Sequence, residues 1–480
     1  MFQRHLVLAG FVCFLSFAVA QTAPTDAAPD GSQTAPLLQA VPQANAPSGT
    51  SDPQHNAIAS TWIWQAEFRL RSKDLEGASQ SLAKARQLND QERNLWLVTG
   101  DLEWRRGQMH QAIDDYKKEA ALYPNNSLAY ERLAAAYLHE QDWNEAIAEE
   151  RKWAEASPQD AMPRAALGYA LISTEQYSEA AVMYQQAVLL NKTPDMWKVK
   201  LGRAQLRSGQ VEMGKATLEA LLADSKDAAV LNGAAYELGD ADLDLPAAET
   251  AAHKAVAMVS DRSAAAGLGT ATDSDLAQMP LLAESWDTLG WILFKEHRLS
   301  EAENYVRSAW LLGNHDEVGL HLGRVYEAEG KKSEAIATYR MAAGLIASPH
   351  PWPYYAHMRE MLLAKVAALE GGMASMPAGA DSSAAVELRT YTIPNPVNGT
   401  PATAEFLLHM TEGRVDGVRF LRGDVSLRAA EGALESAKYN AAVPTISRAR
   451  ILRRATLSCI PGASTCTLRL KGIFSARMGE

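Results

Sequence analysis

Alanine returns every 34 residues over a long stretch of this chain, at Ala78, Ala112, Ala146 and Ala180. Twelve residues ahead of such an alanine the chain places another small residue: Gly100 and Gly168, with Ala134 between them. Gly202, Gly290 and Gly323 hold the same place in later segments. Bulky residues follow four beyond, at Leu82, Tyr116, Tyr184 and, counted from Ala335, Tyr339. Pro124 and Pro158 close two of the units. Small residues at that spacing let two helices approach closely, and the bulky ones fill the space beside them. A pair of helices of this size cannot bury its apolar face alone, so neighbouring units must stack into a solenoid.

The register carries through most of the chain. Units span residues 59–92, 93–126, 127–160, 161–194 and 195–228, the last with Gly214 in place of the alanine. Residues 229 to about 258 form a degenerate unit, with Tyr236 where a small residue belongs and Pro246 early in the second helix, a tolerated place. Residues 260–279, with Gly267 and Gly269, break the period as an insertion that reads equally as a functional loop or a mobile connector. The array resumes at Ala283 and ends with a unit from about Asp316. His350-Pro351-Trp352-Pro353 stops it, and residues 354–369 read as a capping helix.

The flanks differ in kind. Arg4 and His5 precede an apolar run from Leu6 to Leu15, and Ala18-Val19-Ala20 supplies a small-x-small cleavage pattern. Residues 1–20 therefore read as a secretory signal peptide, with a retained anchor helix as the alternative. Residues 21–58, rich in Ala, Pro, Gln, Ser and Thr, read as a disordered linker. Residues 371–384 form a second linker, and residues 385–480 read as a small α+β domain. Its expected strands cover 386–391, 406–410, 415–421, 451–459 and 466–470, with a helix over 427–437. The net charge of −11 is unevenly spread. Residues 383–480 hold 13 Lys and Arg against 8 Asp and Glu, or +5, which leaves −16 on the rest and argues against nucleic-acid binding by the array. After cleavage two cysteines remain, Cys459 and Cys466, around an Ile-Pro-Gly-Ala-Ser-Thr turn. In an exported chain they read as a disulfide, the alternative being two packed thiols.

Over residues 59–347 these positions resemble the tetratricopeptide repeat family. Residues 417–424 (Gly-Val-Arg-Phe-Leu-Arg-Gly-Asp), followed by Leu427 and a helix, are similar to the strand-to-helix passage of the TonB C-terminal fold. The segments around Asn232 and Ser285-Trp286 are similar to the C-terminal half of large exported bacterial proteins that carry a transglutaminase-like region. The tetratricopeptide resemblance implies an α-solenoid whose first helices display ligand contacts on a concave face. Asp101, Trp104, Glu131, Tyr169, Arg203, Trp291, Arg324 and Glu327 occupy those positions here. A solvated wall with no partner is the competing reading. Trp62, Trp96, Trp197 and Trp286 fall instead at positions that pack between helices.

No pattern of catalysis emerges. There is no His-Glu-x-x-His or Cys-x-x-Cys motif, and His350 and His357 lack further ligands for a metal. Gly267-Leu268-Gly269 lacks the third glycine of a nucleotide loop. Glu149-Glu150 and Asp114-Asp115 are adjacent on helices and point to different faces. The expectation is therefore an exported, non-enzymatic scaffold of the periplasm or envelope. It would hold a protein or peptide partner, with no cofactor, no metal, no nucleic acid and no membrane span after signal removal. The alternatives are an accessory or degenerate part of an envelope hydrolase or transglutaminase-like system, and a partner of a TonB-like transducer.

Overall fold

The computed structural model describes residues 53–190, 195–346, 353–372, 387–397, 401–444 and 447–473. The expected signal peptide, nearly all of the first linker and most of the second lie outside the described residues. The described chain divides into two compact units, one ending at Pro158 and the other beginning at Gln159. It is a tetratricopeptide-type α-solenoid followed by a small α+β domain.

The first unit holds three helical hairpins. They are α1 (Pro53–Arg71) with α2 (Leu75–Leu88), α3 (Leu95–Arg105) with α4 (Met109–Leu122), and α5 (Ser127–Glu140) with α6 (Trp143–Ala156). Helix α1 starts six residues ahead of the expected start at Ala59. Proline is tolerated as a first helical residue because the N–H it lacks would go unbonded there. Asp74 and Asp142 cap α2 and α6, accepting from the N–H of Gly77 and Glu145. Within each hairpin the turn places one residue in the left-handed region: Lys73, Gly107 and Gln141, 34 apart. The small-residue positions have a direct steric cause, since a methyl group on Gly100 would overlap the Tyr116 ring. Ile63, Ala66, Ala78, Leu82, Leu95 and Leu102 form the core of the first two hairpins.

The second unit continues with α7 (Met162–Ser173), α8 (Tyr177–Leu190), α9 (Asp195–Arg207), α10 (Val211–Asp224), α11 (Ala228–Asp240) and α12 (Leu245–Ala265). Glu175 and Gly209 extend the left-handed turn series by two further steps of 34. Gly168 and Gly202 repeat the close approach, an added methyl falling 2.8 Å from Tyr184 and 2.6 Å from Leu218. In the insertion, α12 runs on to Ala265 and a short α13 (Asp273–Leu276) follows, fixed by a capping box between Thr272 and Asp275. Then come α14 (Met279–Lys295), α15 (Leu299–Gly313), α16 (Asp316–Ala328), α17 (Lys332–Leu345) and the capping α18 (Pro353–Glu370).

Five antiparallel strands complete this unit: β1 (Thr390–Pro394), β2 (Ala402–Thr411), β3 (Arg414–Gly423), β4 (Ile451–Cys459) and β5 (Thr465–Leu470), in the order β1-β5-β4-β2-β3. The first strand begins at Thr390, and the expected start at Val386 lies outside the described residues. Leu388 and Arg389 form a turn, and the Tyr391 hydroxyl donates to the Leu388 carbonyl. The expected helix over 427–437 is two pieces, a 3-10 turn (Val425–Ala430) and α19 (Glu431–Ser436). Cys459 and Cys466 face one another across β4 and β5 and are joined as a disulfide.

The sheet is not a tethered module. Its apolar core is continuous with that of the helices from Val199 onward. The insertion carries much of the attachment. Arg419 donates to the carbonyls of Gly269 and Ala271, both at 2.9 Å. Arg454 pairs with Asp273, Ser260 meets Ser447 at 3.1 Å, and the Leu452 N–H reaches the Met279 sulfur at 3.3 Å.

Candidate functional site

Side chains from the first helix of successive hairpins converge in the second unit. Tyr169 on α7, Arg203 on α9 and Glu237 on α11 occupy one repeat position, 34 residues apart. Asp287 on α14, His321 on α16 and Tyr355 on α18 share another. Helices stacked in register present equivalent positions side by side, so contacts follow the period. The Arg203 Nε lies 2.6 Å from Glu237 Oε1, and His321 Nδ1 lies 2.9 Å from Asp287 Oδ2. Burial opposes both cations. Glu237, together with Tyr354, Glu317 and Tyr236, outweighs it at Arg203, and Asp287, with Glu317 and Asp240, does so at His321, so both cations are held charged and raised above their ordinary values.

Longer reaches close the wall. The hydroxyls of Tyr236 and Tyr354 donate to the same Glu317 oxygen, at 2.5 and 3.3 Å. Burial pushes the Glu317 carboxyl up, but His321, Arg203 and the Tyr236 hydroxyl outweigh it and keep it below the usual range. The Trp291 indole donates to Asp240 at 3.2 Å and stacks on His321 with ring centroids 4.1 Å apart. Arg207 reaches the other Asp240 oxygen at 2.6 Å.

Lys200 stands apart in this company. It is half-buried on α9 and makes no hydrogen bond or ion pair among the described residues. Burial and Arg203 lower its ammonium to about 8, against the pull of Glu237, Glu284 and Glu317. Such a cation lacks both full hydration and a close counter-charge, so an incoming carboxylate or carbonyl would gain more from it than from a solvated lysine.

The positions expected from the sequence are distributed as follows. Asp101, Trp104 and Glu131 lie in the first unit. Asp101 accepts from the Tyr116 hydroxyl at 2.9 Å and from Arg132 at 3.0 Å, and Arg132 also meets Glu131 at 3.0 Å. Trp104 packs edge-on against His139. Tyr169 and Arg203 line the wall of the second unit. Trp291 belongs to the wall but is 2% exposed, so it stiffens the surface more than it offers contact. Arg324 lies over the Trp291 ring at 5.6 Å, and Glu327 is engaged by Lys365 at 3.0 Å and by the Tyr339 hydroxyl. Of the tryptophans expected between helices, Trp96 and Trp286 are buried, and Trp62 and Trp197 are half-buried.

Lys200, Tyr236, Glu237, Asp240, Asp287, Glu317, His321 and Tyr354 were not anticipated. The period could have found one of them, Glu237, which follows Arg203 by one repeat, and it links two others to each other, because His321 follows Asp287 by one repeat. An exposed pair on α1, Trp64 and Phe68, was also missed; their rings are 6.3 Å apart. Among the described residues no group of three or more His, Cys, Asp or Glu is placed to hold a metal, and no helix is long and apolar enough to cross a membrane.

Repeat register, fold and wall together define a helical-repeat solenoid with a polar, aromatic first-helix wall in its second unit. No protein-family model and no curated protein matches the chain. Solved structures with a similar trace include a tetratricopeptide repeat protein from Parabacteroides merdae, at 11% identity over 65% of this chain and 99% of that one, TM-score 0.38. Another is pilF of Pseudomonas aeruginosa, at 12% identity over 42% of this chain and 91% of that one, TM-score 0.34. A third is YrrB, described as a TPR protein with an unusual peptide-binding site, at 20% identity over 36% of this chain and 90% of that one, TM-score 0.32.

Proposed function

We propose that this chain is an interaction scaffold that holds an extended polypeptide segment of a partner along the first-helix wall of its second unit. The observation that carries the reading is Lys200, a half-buried ammonium without a close partner among the described residues, in the field of Arg203, Glu237, Glu284 and Glu317. A wall of this composition suits a backbone with mixed side chains. Its carboxylates and cations meet opposite charges, its tyrosines supply apolar area with a polar tip, and the paired groups beneath hold the surface rigid.

The scaffold works outside the cytoplasm. The signal-like pattern of residues 1–20 and the Cys459–Cys466 disulfide support that compartment. The C-terminal domain, with its excess of basic residues, supplies a second contact to the same assembly.

A photo-crosslinking amino acid in place of Lys200 tests the wall directly in the full chain. Crosslinks to one defined partner from that position, and none from Met213 on α10, are the expected result. Equal crosslinking from both positions, or none from position 200, would count against the wall. Mass spectrometry of the mature N-terminus tests export, with the chain expected to begin at Gln21.

A further inference from the structure

We propose that α1 is a self-association surface, on which the α1 of a second copy of this chain packs antiparallel about a two-fold axis. Ala57, Thr61, Trp64, Phe68 and Arg71 are all exposed and follow one another at steps of four, three, four and three, the spacing of a helix seam that meets another helix. Trp64 is 64% and Phe68 57% exposed, and no other Trp or Phe among the described residues is exposed. The repeat register says what this face is. One and two periods on from Phe68 stand Leu102 and Ala136, and further equivalents in the second unit are Ala204 and Leu238; they are 2%, 0%, 0% and 0% exposed. Leu102 packs into one core with residues of α1 and α2, the hairpin ahead of it. The position of Phe68 is therefore the place where a preceding hairpin stacks, and on α1 nothing among the described residues stacks there.

The stripe fits its own reverse. Its N-terminal half is small, Ala57 and Thr61, and its C-terminal half is bulky, Phe68 and Arg71, with Trp64 between them. An antiparallel second copy sets small against large at both ends and brings the two Trp64 rings together at the centre. A parallel copy crowds Phe68 on Phe68 and leaves a gap at Ala57. A two-fold axis across the helix makes the antiparallel contact from a single patch. The polar atoms of the stripe are already engaged. The Thr61 hydroxyl donates to the Ala57 carbonyl at 2.8 Å, and Arg71 pairs with Glu67 of its own helix at 3.5 Å, so two copies meet without like charges in opposition. Trp64 and Phe68 already stack, with ring centroids 6.3 Å apart, which leaves little side-chain freedom to lose on association. The sequence ahead of α1 supplies no further hairpin for this face. One period before Leu82 stands Ser48, and Pro47 and Gly49 fall where a second helix would run.

The size of the face sets the strength. At roughly 200 Å² for a whole aromatic side chain, the exposed portions of Trp64 and Phe68 come to about 240 Å² per copy. Doubled, and with the smaller residues added, the contact stays below the ~1,200 Å² of a stable interface, so the dimer is weak and depends on concentration. Its consequence is bivalency. Two chains joined at α1 carry two copies of every other surface, and a partner with two sites is held more tightly than by one chain.

The test uses the full chain. Sedimentation velocity from about 1 µM to about 500 µM, the range of a weak interface, should show a monomer passing to a dimer. Phe68→Gln and Trp64→Gln, both at exposed positions, should each weaken dimerisation by about 100-fold, because in a two-fold contact each substitution removes a ring twice. Met213→Gln on α10, which removes a comparably exposed apolar side chain, should leave it unchanged. A p-benzoylphenylalanine in place of Phe68, irradiated in a mixture of unlabelled and nitrogen-15-labelled chains, identifies the occupant. Crosslinks joining residues 53–71 of a labelled chain to residues 53–71 of an unlabelled one are expected. A monomer at every concentration, an undiminished dimer in either aromatic variant, or crosslinks from position 68 confined to residues 21–52 of the same copy or to a different protein, would overturn the proposal.

Discussion

Asp287 and His321 stand 34 residues apart and hold one another across α14 and α16, both Asp287 oxygens lying within 3.1 Å of His321 Nδ1. Trp291 covers the imidazole, and Glu317, Asp240 and Tyr236 face it from α16 and α11. The pair ties two repeats together beneath the proposed binding wall. Because the folded state raises the histidine above its ordinary 6.5, its contribution is complete below about pH 6.5 and is lost as the pH climbs through the raised value. Urea unfolding between pH 6 and 9 should show that decline. Asp287→Asn should lower stability at pH 6 by about 3 kcal/mol, the scale for breaking a buried ion pair, and flatten the profile.

The turn series offers a second prediction. Lys73, Gly107, Gln141, Glu175 and Gly209 all take positive φ, and in two of them the chain already uses glycine. A side chain in that region costs about 1–2 kcal/mol, partly offset by the greater freedom glycine has when unfolded. Glu175→Gly should therefore raise stability by up to about 1 kcal/mol, and Gly209→Ala should lower it by a similar amount. Calorimetry on the two variants checks both signs.

The 34-residue period made much of this molecule legible before any coordinates. The hairpin repeat, the close approaches at Gly168 and Gly202, the strands around 406–410, 415–421, 451–459 and 466–470 and the cysteine pair all follow from local rules: side-chain size, alternation and turn composition. What was not legible depends on contacts between distant parts of the chain. Lys200 and Glu317 are ordinary surface residues in sequence, and only stacking brings them together. Residues 260–279 read as a loop or connector because Gly267 and Gly269, with Ser, Thr and Asp residues around them, interrupt the period. The acceptors that Arg419 uses there are backbone carbonyls, which no side-chain pattern reveals.

That attachment can be loosened selectively. Arg419→Ala removes two charge-assisted hydrogen bonds to the carbonyls of Gly269 and Ala271. Each is worth about 1.5–3 kcal/mol when buried, and less here because Gly269 and the Arg419 end of the contact are partly solvated. Amide exchange over residues 266–276 should quicken by about tenfold or more, while exchange in α1–α6 stays unchanged. Equal protection in both proteins would mean the insertion is ordered by its own capping box and not by the sheet.

Glu150 gives the sharpest prediction. Leu82, Tyr116, Tyr184 and Leu218 fill the corresponding place in other units, each against a neighbouring helix. At this one step the chain uses a carboxyl, fully buried on α6, with neither oxygen hydrogen-bonded among the described residues. Burial alone raises it to about 8 from an ordinary 4.5. The folded state therefore keeps the proton that the unfolded chain releases above pH 4.5, and stability falls steadily between pH 4.5 and 8. The accumulated penalty at pH 8 is on the order of 3–5 kcal/mol. Glu150→Leu restores the residue type of the neighbouring repeats and removes the titrating group. Its urea midpoint should exceed the wild type modestly at pH 5, where both side chains are close to neutral, and by a margin that widens up to pH 8. A constant difference across that range would mean that the Glu150 carboxyl reaches water or a counter-charge and titrates near its ordinary value.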